Sequence, residues 1–480
     1  MNKSLVFSTV GRLMLVVPVL FVPCLIVSLL YADGHALVFL AGICISLAVA
    51  LPVALLVKPE SKQMYTRDGM AIAGLSWILM SVLGALPLVI SGICNYIDAF
   101  FEIASGFTTT GATIMRDIAS LPPSMSFLRC FTHWLGGMGV LVLTTAILPS
   151  PNGAGASLAK AESSGPSFSK LLPKVGDNSK LLYLIYTALT LLLVIALKIC
   201  GMNLFESILH ALSTAGTGGF SNQAQSILDY HSTAIDLVIS VFMLLFGINF
   251  ALYFRLLAKE YKTAFKNEEF YLYVGLSAVS VLIIALNIRN LVGGFFPALE
   301  HSLFQVGAII STTGFASADF NTWPNLSKII ILLLMLFGSC AGSTAGGLKL
   351  IRVLLLFKLA KREIGKSFAP RKVKVIKLDA KSVPEDLLNR IAVYFFIYIA
   401  VIILGVLTLA VSGCTVGESI SGAVSCVSNI GPAFERLGPM ENYAWLPPVT
   451  KIILSLLMIA GRLEIYPLLI LFFPSAWRKS

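Results

Sequence analysis

Charged side chains are scarce in this 480-residue sequence, of which Asp, Glu, Lys and Arg together make up only 12%. A soluble globular domain carries roughly 25% of them. Hydrophobic residues make up 57% of the chain, and its mean hydropathy is +0.88. This composition excludes a soluble enzyme, a disordered chain and a disulfide-stapled scaffold. It predicts an all-α protein that crosses a bilayer many times, because a helix satisfies its own backbone hydrogen bonds in lipid.

Cysteine and histidine are also few. The eight Cys include no C-x-x-C pair and lie mostly in apolar runs, so we interpret them as small packed residues rather than as disulfides or metal ligands. The five His show no ligand spacing. We interpret His133 and His210 as packed or capping residues and His301 as a capping residue. No H-E-x-x-H, G-x-S-x-G or paired-carboxylate signature occurs, so we expect neither an enzyme nor a bound cofactor.

Ten apolar runs have about the 20 residues that a spanning helix needs, and nine of them are uncharged. The last of them is interrupted by Arg462 and Glu464. The runs lie at 13–31, 36–57, 69–97, 130–148, 181–197, 237–254, 270–288, 329–348, 391–413 and 452–474. The first run is longer than a usual signal-peptide core and is interpreted as a retained span. Ten spans place both termini on the same side of the membrane.

Basic residues indicate which side that is. Of the 35 Lys and Arg, 27 lie in the two termini and in the segments 57–68, 150–180, 255–269 and 349–390. This bias predicts that both termini are cytoplasmic. The net charge of +11 is thus a topology signal, and no nucleic-acid partner is expected. The most basic segment, 349–390, shows either ordinary positive-inside bias or, in addition, a docking surface for a cytoplasmic partner or anionic lipid.

Four of the predicted external connections contain an apolar segment too short to span a membrane. Each segment starts at a polar residue and reaches a glycine 13 positions later. The pairs are Asp98 and Gly111, Glu206 and Gly219, His301 and Gly314, and Glu418 and Gly431. A unit of span, short helix, glycine strand and span therefore occurs four times, after two spans that stand outside it. Because all four segments have the same spacing, a true repeat is favoured over external loops that contain Gly and Thr by chance.

Such a unit is suited to cations. A short helix that enters the membrane from outside points its C-terminus, with its partial negative charge, at the membrane centre. Irregular backbone at that depth is tolerated only where it lines protein or water. Four such strands can form a ring of carbonyl oxygens that replaces the water shell of an ion.

Two further features need an explanation. The segment 338–347, GSCAGSTAGG, contains four glycines, each of which costs a helix about 1 kcal/mol relative to Ala. It is either a close helix contact through small residues or an intramembrane loop. Arg462 lies inside an apolar run, where a charge costs about 3 kcal/mol or more. It either pairs with an acidic group, although Glu464 lies on another helix face, or lies in the ion path.

Several longer motifs occur at these places. They are TRDG at 66–69, FTTTGAT at 107–113, HWLGGMG at 133–139, TGGFS at 217–221, STTGF at 311–315, GSCAGSTAGGLK at 338–349, SNIGP at 428–432 and GRLEI at 461–465. At these residues the sequence resembles the Trk/Ktr/HKT superfamily of potassium transporters, and most closely the bacterial Trk-type membrane subunit. The resemblance covers essentially the whole chain.

The resemblance implies a fold of two N-terminal spans followed by four pseudo-symmetric span–pore helix–span repeats around one pore. The units are the N-terminal spans (1–68), repeat 1 (69–149), a cytoplasmic linker (150–180), repeat 2 (181–258), repeat 3 (259–348), a basic cytoplasmic loop (349–390) and repeat 4 (391–480).

The resemblance also implies which residues bind and gate the ion. The implied selectivity filter, where potassium would bind, consists of Thr109, Thr110, Gly111, Thr217, Gly218, Gly219, Thr312, Thr313, Gly314, Asn429, Ile430 and Gly431. The implied gate is an intramembrane loop with Gly338, Gly342, Ser343, Thr344, Gly346 and Gly347, together with Arg462. Glycine at all four filter positions is associated with potassium in this family. Only the first strand has a threonine run like that of a potassium channel, so selectivity can be looser.

The function implied is potassium uptake across the bacterial inner membrane, with potassium as substrate. The alternative is a sodium-permeable carrier, or one coupled to sodium or protons, of the same fold. The implied partners are membrane lipid, a second copy in a homodimer, and a cytoplasmic ring of nucleotide-binding regulatory subunits. The sequence has no nucleotide site of its own, and it leaves channel and proton symport open.

Overall fold

The computed structural model describes residues 1–59, 63–139, 175–369 and 374–478. Helices dominate this part of the chain, and its only sheet is a two-stranded antiparallel hairpin, β1 (Lys377–Leu378) and β2 (Lys381–Ser382). The prediction of an all-α membrane protein is therefore confirmed at this level.

Three N-terminal helices form a hairpin. They are α1 (Lys3–Met14), α2 (Val16–Tyr31) and α3 (Ala36–Leu56). The first two make one apolar span of 29 residues, and both pack against α3. Leucines on their outer faces are exposed, as expected for side chains that contact lipid.

The remaining helices follow these three along the part of the chain predicted to contain the four repeats. In the first three repeats they are α4 (Thr66–Gly84), α5 (Leu86–Ile90), α6 (Tyr96–Phe107), α7 (Pro123–Gly137), α8 (Val175–Ile199), α9 (Leu204–Gly216), α10 (Thr233–Phe246), α11 (Phe250–Leu257), α12 (Tyr261–Ala264), α13 (Glu268–Ile288), α14 (Phe295–Ile310) and α15 (Asn325–Leu336). The later ones are α16 (Leu350–Phe368), α17 (Glu385–Val411), α18 (Val416–Ser428), α19 (Pro448–Arg462) and α20 (Tyr466–Phe472). Short 3₁₀ turns occur at Leu228–Tyr230, Phe320–Thr322, Glu435–Leu437 and Pro474–Trp477.

The four short helices α6, α9, α14 and α18 make a closed cycle of contacts. Each packs against helices of its own repeat and also against the last span-like helix of the repeat before it. Thus α9 contacts α7, α14 contacts α10, α18 contacts α15, and α6 contacts α19. The cycle passes through all four repeats and returns to the first.

Local sequence explains where three of these helices begin. Asn95 and Asn203 accept the amide hydrogens of Asp98 and Glu206, and Thr415 forms a capping box with Glu418. The acidic residues are therefore third in the helix and are not the caps themselves. The third helix begins earlier, after Gly294, so the capping role predicted for His301 is wrong.

The predicted count of ten spans is not reproduced by length and hydropathy. In the described residues six helices are long and apolar enough to cross a membrane, or seven if the bent pair α10 and α11 is one span. The predicted span 237–254 bends by 90° between those two helices. The run 329–348 is helical only to Leu336, and the run 452–474 breaks after Arg462, where Glu464 and Ile465 both have positive φ. Part of the run 130–148 lies outside the described residues.

Two predicted loops need comment. The segment 338–347 has no helix, in agreement with its glycine content, and its flanks Phe337 and Leu348 form a parallel bridge. The basic segment 349–390 is largely ordered rather than a loop, since it contains α16, the hairpin and the start of α17. Most of the predicted linker 150–180 lies outside the described residues.

Candidate ion pathway

The four short helices α6, α9, α14 and α18 end in the same backbone conformation. The last helical turn is followed by a residue in the left-handed region: Thr109, Thr217, Thr312 and Asn429, with φ of 56°, 55°, 56° and 58°. The next residue in each strand donates its amide hydrogen to the carbonyl five positions back, over 2.8–3.0 Å. Such bonds close a helix C-terminus and leave other carbonyls free. The four strands thus leave their helices along equivalent paths.

Glycine is required at the position two residues later. Gly111, Gly219, Gly314 and Gly431 have φ of 79°, 80°, 79° and 102°, which side chains with a Cβ rarely adopt. There is also no room for a Cβ, which on each glycine would overlap the carbonyl of the next strand in the cycle. Those carbonyls belong to Gly218, Thr313, Ile430 and Thr110, respectively. The predicted filter residues therefore lie together in one closed ring.

A cavity lies against this ring. Its volume is about 100 Å³, and all four glycines contribute to its wall. The rest of the wall comes from Arg129 on α7, from the strands after the glycines and from the segment 438–443.

Side chains make the ring unequal. Asn429 donates its amide to Thr110 Oγ1 over 3.0 Å and to the Met458 carbonyl over 2.9 Å. No threonine occupies either of the two positions before Gly431. The Tyr443 hydroxyl donates to the Gly431 carbonyl over 2.8 Å, which takes one of its lone pairs. The fourth strand is thus held differently from the first.

A buried ion pair supports the ring from outside and was not predicted from the sequence. Arg129 Nε lies 2.7 Å from Glu102 Oε1, and both side chains are fully buried. Glu102 accepts hydrogen bonds from Thr113 and Ile114 in the first strand. Arg129 donates to the Ser221 carbonyl of the second strand over 3.0 Å. A charged pair with these additional bonds joins two neighbouring strands.

The segment 338–347 lies directly against the ends of the helices that lead into the ring. The Gly346 amide donates to Thr312 Oγ1 over 2.8 Å. A Cβ on Gly346 would lie 2.5 Å from the Ser428 carbonyl, so the segment touches the third and fourth re-entrant helix ends. Thr344 Oγ1 donates to the Phe246 carbonyl over 3.3 Å. The predicted gate residues are thereby placed next to the predicted filter.

Arg462 lies at the end of α19, not in the middle of a span as predicted. It donates to the Thr344 carbonyl over 2.6 Å and to the Gly136 and Gly137 carbonyls over 2.6 and 2.5 Å. The last two are at the C-terminus of α7, where the helix dipole favours a cation. Glu464 forms an ion pair with Arg352, at 2.5 Å. Arg462 therefore joins the segment 338–347 to repeat 1.

Glu269 anchors the other side of that segment, and sequence reasoning missed it. This residue near the start of α13 is 1% exposed. Its Oε1 accepts the Ala341 amide over 2.7 Å and the Ile351 amide over 3.0 Å. The two donors lie 72 and 82 residues away in the chain, so no local pattern connects them to Glu269.

These features define a class of protein: a helical membrane protein in which four short helices end in strands that meet in one ring, with an irregular segment packed against one side of that ring. The family profile for TrkH, a cation transport protein, matches residues 35–291 and 297–479.

Individual relatives agree with this match. The Trk system potassium uptake protein TrkH of Salmonella typhimurium is 35% identical over 460 residues, 95% of each chain. The TrkH of Halomonas elongata is 33% identical over 484 residues, 100% of each chain. The crystal structure of the potassium transporter TrkH from Vibrio parahaemolyticus covers 100% of both chains with a TM-score of 0.90 at 30% identity. The chain belongs to the TrkH family of cation transport proteins, and the resemblance drawn from its motifs is confirmed.

Proposed function

We propose that this protein takes up potassium across the inner membrane, and that the ion passes through the ring of glycine strands. The observation that carries the proposal is the ring itself, in which four strands with the same backbone conformation meet. Potassium uptake is also the function after which its relatives are named. Main-chain oxygens arranged around one axis can replace the hydration shell of a potassium ion.

In this proposal each of the four span–helix–strand–span units contributes one strand to a single pore, and the first two spans (1–68) stand outside it. The basic segments, including α16 and the hairpin, face the cytoplasm together with both termini. Their charge and the asymmetric distribution of Lys and Arg support this orientation.

The segment 338–347 and Arg462 form the gate. The segment contacts the strand ends at Thr312 and Ser428, so an ion leaving the ring meets it first. Arg462 adds a positive charge beside it and holds it through the Thr344 carbonyl. Opening requires that these bonds break. The protein acts as a homodimer, and a cytoplasmic ring of nucleotide-binding subunits would drive this opening.

The experiment is uptake of rubidium-86 into liposomes that contain the purified protein, with potassium or sodium as competitor. Inhibition by potassium but not by excess sodium is the expected result. Equal inhibition by sodium would contradict potassium selectivity. If no uptake occurs, the same liposomes with the cytoplasmic partner added distinguish a closed pore from a wrong function.

One observation favours the second candidate, a sodium-permeable or sodium- or proton-coupled carrier. The four strands are chemically unequal: Asn429 and Ile430 occupy the places that Thr109 and Thr110 occupy in the first strand. A less symmetric ring discriminates less well between ions of different size. The sodium arm of the uptake experiment decides between potassium selectivity and sodium permeation.

A further inference from the structure

A second cavity lies away from the ring, beneath the segment 338–347. Its volume is about 250 Å³. It lies between α11, the start of α13, the hairpin and the two residues, Ala341 and Ile351, whose amides bond to Glu269. One water molecule occupies about 30 Å³ in the liquid. The cavity is several times larger, so a phosphate headgroup fits into it.

The wall of this cavity is strongly basic. Arg255, Lys262, Lys266 and Lys381 line it, and the three lysines are exposed. In the part of the chain that the structure describes, none of these four cations forms an ion pair. Four unneutralised cations around one cavity create a potential that attracts an anion.

The two carboxylates of the wall are already bonded elsewhere. Glu269 accepts the two backbone amides described above. Asp379 accepts from the Asn267 side chain over 3.1 Å and from the Glu268 amide over 2.9 Å. Neither carboxylate pairs with one of the four cations, so the cations are free to hold a ligand.

The surface beside the cavity is apolar. Leu257, Tyr261 and Phe265 are 71%, 53% and 54% exposed, and they alternate in the chain with the basic residues of the wall. Helix α11, which ends at Leu257, lies at 90° to α10, so the segment continues from a helix that runs across the preceding one. Apolar and basic residues on a segment with this direction are typical of a membrane–water interface.

We propose that this cavity binds the phosphate headgroup of an anionic phospholipid, whose acyl chains lie against Leu257, Tyr261 and Phe265. Charge complementarity selects the headgroup, and the apolar strip selects a lipid over a soluble phosphate. The site rests on the proposed orientation, which places it at the cytoplasmic leaflet. A headgroup there lies against Ala341, within the segment 338–347, and against Ile351, which follows that segment at the start of α16.

Binding is measured on the full-length protein in detergent with dioctanoyl phosphatidylglycerol, and lipid adducts are counted by native mass spectrometry. Dioctanoyl phosphatidylcholine is the uncharged comparison. The site variant is Lys262→Gln/Lys266→Gln/Lys381→Gln. The control is Lys58→Gln/Lys361→Gln/Lys374→Gln, which removes the same charge from three other exposed lysines.

Phosphatidylglycerol is expected to bind more tightly than phosphatidylcholine. The site variant should lose about a hundredfold in affinity, because each of its three lost cations contributes separately to holding the anionic headgroup. The control should lose little. Replacing the same three site lysines with Arg should preserve binding, which separates lost charge from lost fold.

Three results would overturn the proposal. They are equal binding of the two lipids, equal losses in the site variant and the control, and displacement of phosphatidylglycerol by an equal concentration of inorganic pyrophosphate. The last result would assign the cavity to a soluble phosphate. The measurement involves no ion flux, so its outcome does not depend on the proposed transport function.

Discussion

Replacing Glu269 tests the proposal that the segment 338–347 is a gate, held in place by this buried carboxylate. Glu269→Ala removes the acceptor of two hydrogen bonds, from Ala341 at 2.7 Å and Ile351 at 3.0 Å. Hydrogen bonds to a charged group contribute about 1.5–3 kcal/mol each, so the anchor weakens by about 3–6 kcal/mol. Glu269→Gln keeps an oxygen acceptor without the charge and should lose about half as much.

The expected result is greater rubidium-86 uptake in the absence of any partner. Uptake should be highest for Glu269→Ala, lower for Glu269→Gln and lowest for the unchanged protein. A loss of 3 kcal/mol shifts an equilibrium between held and released segments by about a hundredfold. Uptake is measured in liposomes with equal amounts of protein, and thermal unfolding in detergent establishes that each variant is folded.

The neighbouring residue offers a matched control. Glu268 is a carboxylate on the same helix and pairs with Lys358 at the surface, with its side chain 38% exposed. Exposed pairs contribute about 0–1 kcal/mol, so Glu268→Ala should change uptake little. A folded Glu269→Ala protein with unchanged uptake, or equal effects of the two substitutions, would refute the assignment of Glu269 as the anchor.

Three other substitutions have distinct expected outcomes. Gly111→Ser puts a Cβ where a carbonyl of the next strand lies, so the potassium preference over sodium in competition assays should fall; unchanged preference would contradict the ring as filter. Arg462→Ala removes three hydrogen bonds and a positive charge, so uptake should rise, whereas loss of protein from the membrane would indicate a purely structural role. Arg129→Met leaves Glu102 buried without its partner, which should lower the free energy of unfolding by about 3–5 kcal/mol. Adding Glu102→Gln should recover much of that loss in thermal unfolding, and no recovery would contradict the pairing.

The features that could be predicted from the sequence are those encoded locally. The polar residue, the short helix and the glycine lie within 13 positions of one another, so their repetition is visible without a structure. The glycine content of 338–347 likewise indicates a segment without helix. Backbone conformation at Gly111 follows from the same local pattern, because only glycine readily adopts its positive φ.

The features that could not be predicted depend on contacts between distant segments. In the sequence Arg129 is a single basic residue outside the basic segments, and nothing local indicates that it bonds to Ser221, 92 residues away. Glu269 likewise bonds to residues far away in the chain, Ala341 and Ile351. The 90° bend after Phe246 falls within an apolar run, and hydropathy does not indicate where a helix in such a run changes direction. The early start of α14 also escaped detection, because Gly294 lacks the capping side chain present at Asn95.

Locating the ion tests the central claim most directly. Crystals of the protein grown with thallium(I) in place of potassium would show the ion by its anomalous scattering. We predict a peak inside the ring formed by the strands of Gly111, Gly219, Gly314 and Gly431. A protein that transports thallium but shows its peaks only elsewhere would contradict the account.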